Sequence, residues 1–130
     1  MLIGELAQRA GVSKDTIRFY EKMGLLQSRS RPAGSRHYKD YDEVAWERLQ
    51  FIQYAKTLGF TLNEIGQIMT QCQRRGSLPT AEKVAILERK LAETAQKIQD
   101  LRQVEAQLRD KLREVRREPV APGGDRAHPP

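Results

Sequence analysis

Apolar residues recur at helical spacing in several runs, separated by breaks that carry glycine or proline. Ile3, Leu6, Ala7 and Ala10 fall on one side of a short helix, and Gly11 ends it. Ser13 is placed to cap a second helix over about Lys14 to Met23, anchored by Ile17, Tyr20 and Phe19 and closed by Gly24. Helix, glycine-bearing turn and helix is the helix-turn-helix pattern. From Gln27 to Lys39 the periodicity fails, and Pro32 and Gly34 appear. Leu25-Leu26 before this stretch and His37-Tyr38 after it are expected to pair as short strands, giving a hairpin wing. Asp40 or Asp42 caps a third helix with a stripe of Val44, Ala45, Leu49, Ile52 and Ala55, stopped by Gly59. Trp46 is expected in the core between helices. Thr61 and Glu64 form a capping box for a fourth helix, whose apolar face is Leu62, Ile65, Ile68 and Met69.

The last run differs in kind. Thr80 to Glu118 holds neither glycine nor proline. A heptad register places Val84, Leu87, Leu91, Thr94, Ile98, Leu101, Glu105, Leu108, Leu112 and Val115 on one seam, apolar at all but Thr94 and Glu105. Such a helix is roughly 55–60 Å long at 1.5 Å per residue. A head of about 76 residues is too small to cover that stripe, so a second helix is needed, and a homodimer is the expectation. The pattern alone leaves parallel and antiparallel pairing open. Glu105 on the seam needs a basic partner or a place near an exposed end. The expected division is a head over 1–76, a dimerisation helix over 77–118 and a disordered Pro/Gly-rich tail over 119–130.

Charge sharpens this picture. The chain has 130 residues, 23 Lys plus Arg, 17 Asp plus Glu, and a net charge of +6. The excess is concentrated in residues 1–40, which are net +4. Between Lys22 and Lys39 there is no acid at all. That distribution suits a nucleic-acid partner. Residues early in the second helix of a helix-turn-helix reach base edges, which selects Lys14, Thr16 and Arg18. Arg18 has the fork needed for a bidentate contact to guanine. Tyr20 is placed to reach a phosphate through its hydroxyl. Arg29, Arg31, Arg36 and Lys39 of the wing suit the phosphate backbone, and His37 suits wing packing or a phosphate. Lys14 and Arg18 alone would describe any solvated helix face. The turn, the cap and the basic wing together point to double-stranded DNA.

Other classes lose ground. The chain has one cysteine, Cys72, and two histidines, which supply neither a disulfide framework nor a thiolate metal site within one chain. There is no glycine-rich phosphate loop and no serine-centred nucleophile motif, so no enzyme and no cofactor is expected. No apolar run approaches the roughly 20 residues of a membrane span, and the first ten residues lack a signal-peptide core. A cytoplasmic protein is the expectation. A coiled-coil adaptor whose head binds protein is the alternative from another class. Salt-dependent duplex binding separates the two.

Several motifs stand in a familiar order: Ile3-Gly4-Glu5-Leu6-Ala7, Gly11-Val12-Ser13, Thr16-Ile17-Arg18-Phe19-Tyr20-Glu21, Gly24-Leu25-Leu26, Arg36-His37-Tyr38, and Leu58-Gly59-Phe60-Thr61-Leu62-Asn63-Glu64-Ile65. Over roughly residues 2 to 117 the chain resembles the MerR family of bacterial transcription regulators. The resemblance implies a mainly α fold, with a winged helix-turn-helix head and a long dimerisation helix in an antiparallel coiled coil. It implies a regulator that binds a two-fold-symmetric promoter operator and bends and untwists an overlong spacer for RNA polymerase. It puts Arg18 at a base-contacting position and Tyr20, Arg36 and Tyr38 at phosphate-contacting ones.

The chain departs from the metal-sensing members, which carry cysteines at the start of the dimerisation helix and after it. Here those places hold Ser77 and Thr80, and no cysteine follows. No metal site is therefore expected. Cys72, with Arg74 and Arg75 nearby, is the one sensor candidate, weighed against a half-buried structural cysteine. The effector is left open, and a constitutive or architectural DNA binder is a further alternative.

Overall fold

The computed structural model describes residues 1–120. Seven elements follow one another: α1 (Ile3–Ala10), α2 (Lys14–Lys22), β1 (Arg29–Ala33), β2 (Arg36–Asp40), α3 (Glu43–Thr57), α4 (Leu62–Arg75) and α5 (Thr80–Arg116). The expected tail over 119–130 lies, from residue 121 onward, outside the described residues.

Each helix boundary has a local cause. Gly11 takes the left-handed conformation, φ +69°, and returns its N–H to Gln8 at the end of α1. The Ser13 hydroxyl then accepts the Thr16 N–H at 3.0 Å and starts α2. The cap of α3 is Asp42, whose Oδ1 accepts the Ala45 N–H at 3.0 Å. Asp40 is engaged elsewhere, with the Met1 amine and Arg31. Thr61 and Glu64 make both halves of their box at the start of α4.

Two compact units result, with the division between Val84 and Ala85. In the first, Leu6, Ile17, Leu26, Tyr41, Leu49, Ile52 and Ile65 form a fully buried core. Two polar bonds tie loops to α3: Gln53 donates to the Ala10 carbonyl at 2.8 Å, and Arg48 donates to the Leu25 carbonyl at 2.9 Å. Gln53 thus satisfies a carbonyl at the end of α1 that no helical N–H reaches, and Arg48 satisfies one in the loop after α2. Gly66 lets α4 approach the same loop, because a Cβ there would stand 3.3 Å from Leu25 Cδ2.

Four expectations need correction. Phe19 is 51% exposed, so Ile17 and Tyr20 are the buried anchors of α2. Leu25 and Leu26 are core residues, not strand residues. Burying two leucines outweighs any pairing they could make. The hairpin instead joins Arg29–Ala33 to Arg36–Asp40 in antiparallel register, Arg31 opposite Tyr38 and Ala33 opposite Arg36. Its loop is Gly34-Ser35, with φ +66° at the glycine, which favours glycine there. Val44 is exposed, since the buried stripe of α3 runs through Ala45, Leu49, Ile52 and Ala55. Trp46 is only half-buried, and the Arg9 guanidinium lies 4.1 Å over its ring.

The second unit begins inside α5. Val84, Leu87, Leu91, Ile98, Leu101, Leu108, Leu112 and Val115 are each between 45% and 69% exposed in the single chain. Val104 joins them at 49%, while Glu105 pairs with Arg109 of the same helix at 3.4 Å. Val104, one residue before Glu105, is thus an exposed apolar neighbour of that heptad position.

Candidate nucleic-acid interface

The recognition helix and the wing converge on one cleft. It has a volume of about 580 Å³, and Lys14, Arg18 and Tyr38 are among its lining residues, beside the start of α1. Lys14 and Arg18 stand four residues apart on α2 and so share a face. Arg18 is exposed and pairs with Asp15 at 2.8 Å. A pair this exposed is worth at most about 1 kcal/mol, so the guanidinium can exchange it for a base edge. Thr16 is half-buried, and its hydroxyl lies 2.9 Å from that of Ser13. Its side chain thus supports the cap.

Strand register sorts the wing. Directly paired residues project to the same side, so Arg29, Arg31, Arg36 and Tyr38 share one face with Asp40. His37 and Lys39 project to the other. Arg31 donates to Asp40 at 3.1 Å and Lys39 to Glu21 at 3.1 Å. Among the described residues, Arg29 and Arg36 have no ion pair. The hydrogen bonds from the Met1 amine at 2.7 Å and from Arg31 hold the Asp40 carboxyl below its ordinary pKa.

Tyr20 sits apart from the cleft. It is 3% exposed and belongs to the core, with Lys56 Nζ donating to its hydroxyl at 3.4 Å. Lys56 was not legible as a partner of Tyr20, because 36 residues separate the two and its only local signal is a place in the last turn of α3. Cys72 is half-buried on α4, in a groove of about 340 Å³ between Phe51 and Met69. Of its two arginine neighbours in sequence, Arg75 is drawn away to Glu82 at 2.7 Å.

A cap-initiated helix with a basic face, a basic hairpin beside it and a long apolar-seamed helix define a winged helix-turn-helix DNA-binding protein. The comparisons agree. Residues 1–72 match the model of the MerR HTH family regulatory proteins, and residues 46–111 match a second model, MerR, DNA binding. The chain belongs to the MerR family and is a DNA-binding transcription regulator. It is 38% identical to the mercuric resistance operon regulatory protein of Bacillus cereus, over 83% of this chain and 80% of that one. It is 33% identical to the transcriptional regulator ZntR of Escherichia coli K12, over 82% and 74%. Among solved structures it resembles the transcription regulator PbrR691 of Ralstonia metallidurans in complex with lead(II), with a TM-score of 0.74 and 36% identity over 87% of this chain and 86% of that chain. No helix among the described residues is long and apolar enough to cross a membrane.

Proposed function

We propose that the protein acts as a homodimer on a two-fold-symmetric promoter operator in the cytoplasm, through the head over residues 1–76 and the helix over 77–118. In this reading the bound dimer bends and untwists the spacer so that RNA polymerase engages both promoter boxes. The observation that carries it is the cleft where Lys14 and Arg18 of the recognition helix meet Tyr38 of the wing. One head then reads a major groove and grips the flanking backbone at once. Arg18 reads a base, and Lys14 and Thr16 stand beside it. Arg29, Arg31, Arg36 and Tyr38 face backbone from one side of the wing, and His37 stands on the other side, where it meets backbone only at the wing's edge. Tyr20 reaches a phosphate only through the hydroxyl that Lys56 meets, so those two act together. Deforming a spacer costs on the order of 1–10 kcal/mol, which two such heads can supply.

Two of the relatives named above are a mercuric resistance regulator and a lead(II) complex, so a metal signal has to be weighed. The donors here do not fit a soft ion, which needs several thiolates or imidazoles. Cys72 is the one thiol of the chain, and no three His, Cys, Asp or Glu side chains among the described residues come together. That donor set favours, as a second reading, a regulator that is constitutive or answers to an organic ligand.

The test is a footprint on the protein's own promoter region, with and without a thiol oxidant and a panel of metal ions. A symmetric footprint between the promoter boxes, with its centre distorted by one additive, is the expected result for a switched regulator. A footprint indifferent to every additive supports the constitutive reading. Absence of any footprint at low salt would overturn DNA control and favour a protein-binding adaptor.

A further inference from the structure

The wing has no core of its own. Nine of its ten strand residues are exposed, and only Asp40 is half-buried. A two-stranded ribbon without a buried face does not hold its own orientation. Its angle to the rest of the head must come from contacts at its base, where the buried Tyr41 ring and two backbone bonds between Met1 and Tyr41, each 2.7 Å, already tie the end of β2; two carboxylates add side-chain ties. Asp40 receives the Met1 amine at 2.7 Å, which fastens the wing to the N-terminal residue. The other contact is Glu21, on the recognition helix itself.

Glu21 gathers three donors on one largely buried carboxylate. Tyr41 Oη donates to Oε1 at 2.6 Å, from just beyond β2. Ser28 Oγ donates to Oε2 at 2.8 Å, from just before β1. Lys39 Nζ donates to Oε2 at 3.1 Å, from within β2. The carboxylate therefore grips both ends of the hairpin from a residue one turn after Arg18. Charge-assisted bonds of this kind are short and directional. Glu21 is also the only acid on a strongly basic stretch from Arg18 to Lys39. By charge alone it would weaken DNA binding, so its place there calls for a positive role.

We propose that Glu21 is the positioning residue that fixes the wing's angle to the recognition helix, and with it the head's selectivity for its operator. The proposal rests on the DNA-binding reading of Arg18 and the wing given above. Bases and phosphates are contacted by other residues. Glu21 decides whether both sets can be contacted together on one stretch of duplex.

The test compares affinity for the footprinted duplex with affinity for a scrambled duplex of equal length, in the wild-type chain and in Glu21→Gln. The variant removes one negative charge per chain, so binding to the scrambled duplex should strengthen. Binding to the operator should not gain in step, and the ratio should fall by about tenfold, the worth of one charge-assisted hydrogen bond. A simple loss of folded protein lowers both affinities equally and leaves the ratio alone. A simple charge effect raises both together. In a variant that keeps its helical circular dichroism, an unchanged ratio overturns the proposal.

Lys39→Met cuts the same strut from the wing side. In the Glu21→Gln background it should leave the ratio where Glu21→Gln put it, and an additive further fall counts against a shared strut. If Glu21→Gln loses its helical circular dichroism, Tyr41→Phe removes only the 2.6 Å bond and keeps the buried ring. A ratio reduced by up to about tenfold in that variant supports the proposal, since the deleted bond is one of the three charge-assisted bonds on Glu21, and an unchanged ratio overturns it. If the wild-type chain shows no salt-dependent duplex binding, the DNA reading itself has failed, whatever the variants do.

Discussion

At the residue scale the proposed base reading rests on Arg18. Its partner in the unbound head is Asp15, one turn earlier and highly exposed. Giving up that pair costs little, and a bidentate contact to guanine returns more. Arg18→Ala should cost roughly 1–3 kcal/mol on the operator and much less on scrambled duplex, read by competition binding at fixed salt. Equal losses on both duplexes would place Arg18 on backbone instead. Arg29→Ala should weaken both duplexes and flatten the salt dependence by about one phosphate per head. Glu21 adds a pH dependence. Partial burial pushes its pKa up, but the hydrogen bonds from Tyr41, Ser28 and Lys39 outweigh this and hold it below 4.5. A depressed carboxylate stabilises the fold above its unfolded pKa and loses that contribution as pH falls through its folded value. Urea unfolding should therefore show wild type above Glu21→Gln at neutral pH, with the gap closing below about pH 4.5. A gap that stays constant into acid would mean the carboxylate gains nothing from its donors. Arg18 stands out as a candidate in the sequence because its signals are local: a cap, a turn and a basic face within ten residues. Glu21 and Lys56 do not, because Tyr41 and Tyr20 lie 20 and 36 residues away from them.

At the scale of elements, local chemistry told nearly everything about helices, placed the second strand of the wing and misplaced the first. Caps and stops act within one turn, so Ser13, Thr61 and Gly11 announced their boundaries. A half-buried strand announces itself by alternation, and the wing has no buried face to alternate against. Leu25 and Leu26 drew the strand assignment because they are apolar, and they are apolar because the core takes them. The same reasoning yields an element-level prediction at Gly11. Its φ of +69° suits glycine, and a Cβ there would meet nothing within 4 Å. Gly11→Ala should thus cost only backbone strain, about 1–2 kcal/mol, and Gly11→Val more. Denaturant unfolding checks the magnitude. Because the turn sets the angle between α1 and α2, operator affinity should fall along with stability. Full affinity in a destabilised Gly11→Ala protein would show that the turn matters for folding alone.

At the scale of the whole molecule, the governing fact is an apolar row that one chain leaves in water. Leu91, Leu101 and Leu108 are each at least 65% exposed, on a helix that runs from Thr80 to Arg116. Monomeric proteins rarely expose so long an apolar strip, and heptad spacing is what a partner helix requires. If two chains pair along it, each leucine is buried once per protomer, and symmetry doubles the cost of removing it. A buried Leu→Ala substitution costs about 2–5 kcal/mol, so Leu101→Ala should weaken the dimer by about 4 kcal/mol or more, near a thousandfold in Kd. Sedimentation across a concentration series reads this directly. The consequence for DNA is separable, because a two-fold operator is bound by two linked heads and each head alone binds weakly. Leu101→Ala should therefore make operator binding steepen with protein concentration while leaving the affinity of a single half-site unchanged. Lys111→Ala makes a useful contrast, since its exposed pair with Glu114 at 3.5 Å lies off the seam and should change neither quantity. A Leu101→Ala protein that sediments and binds as wild type does would place the dimer contact somewhere other than this row.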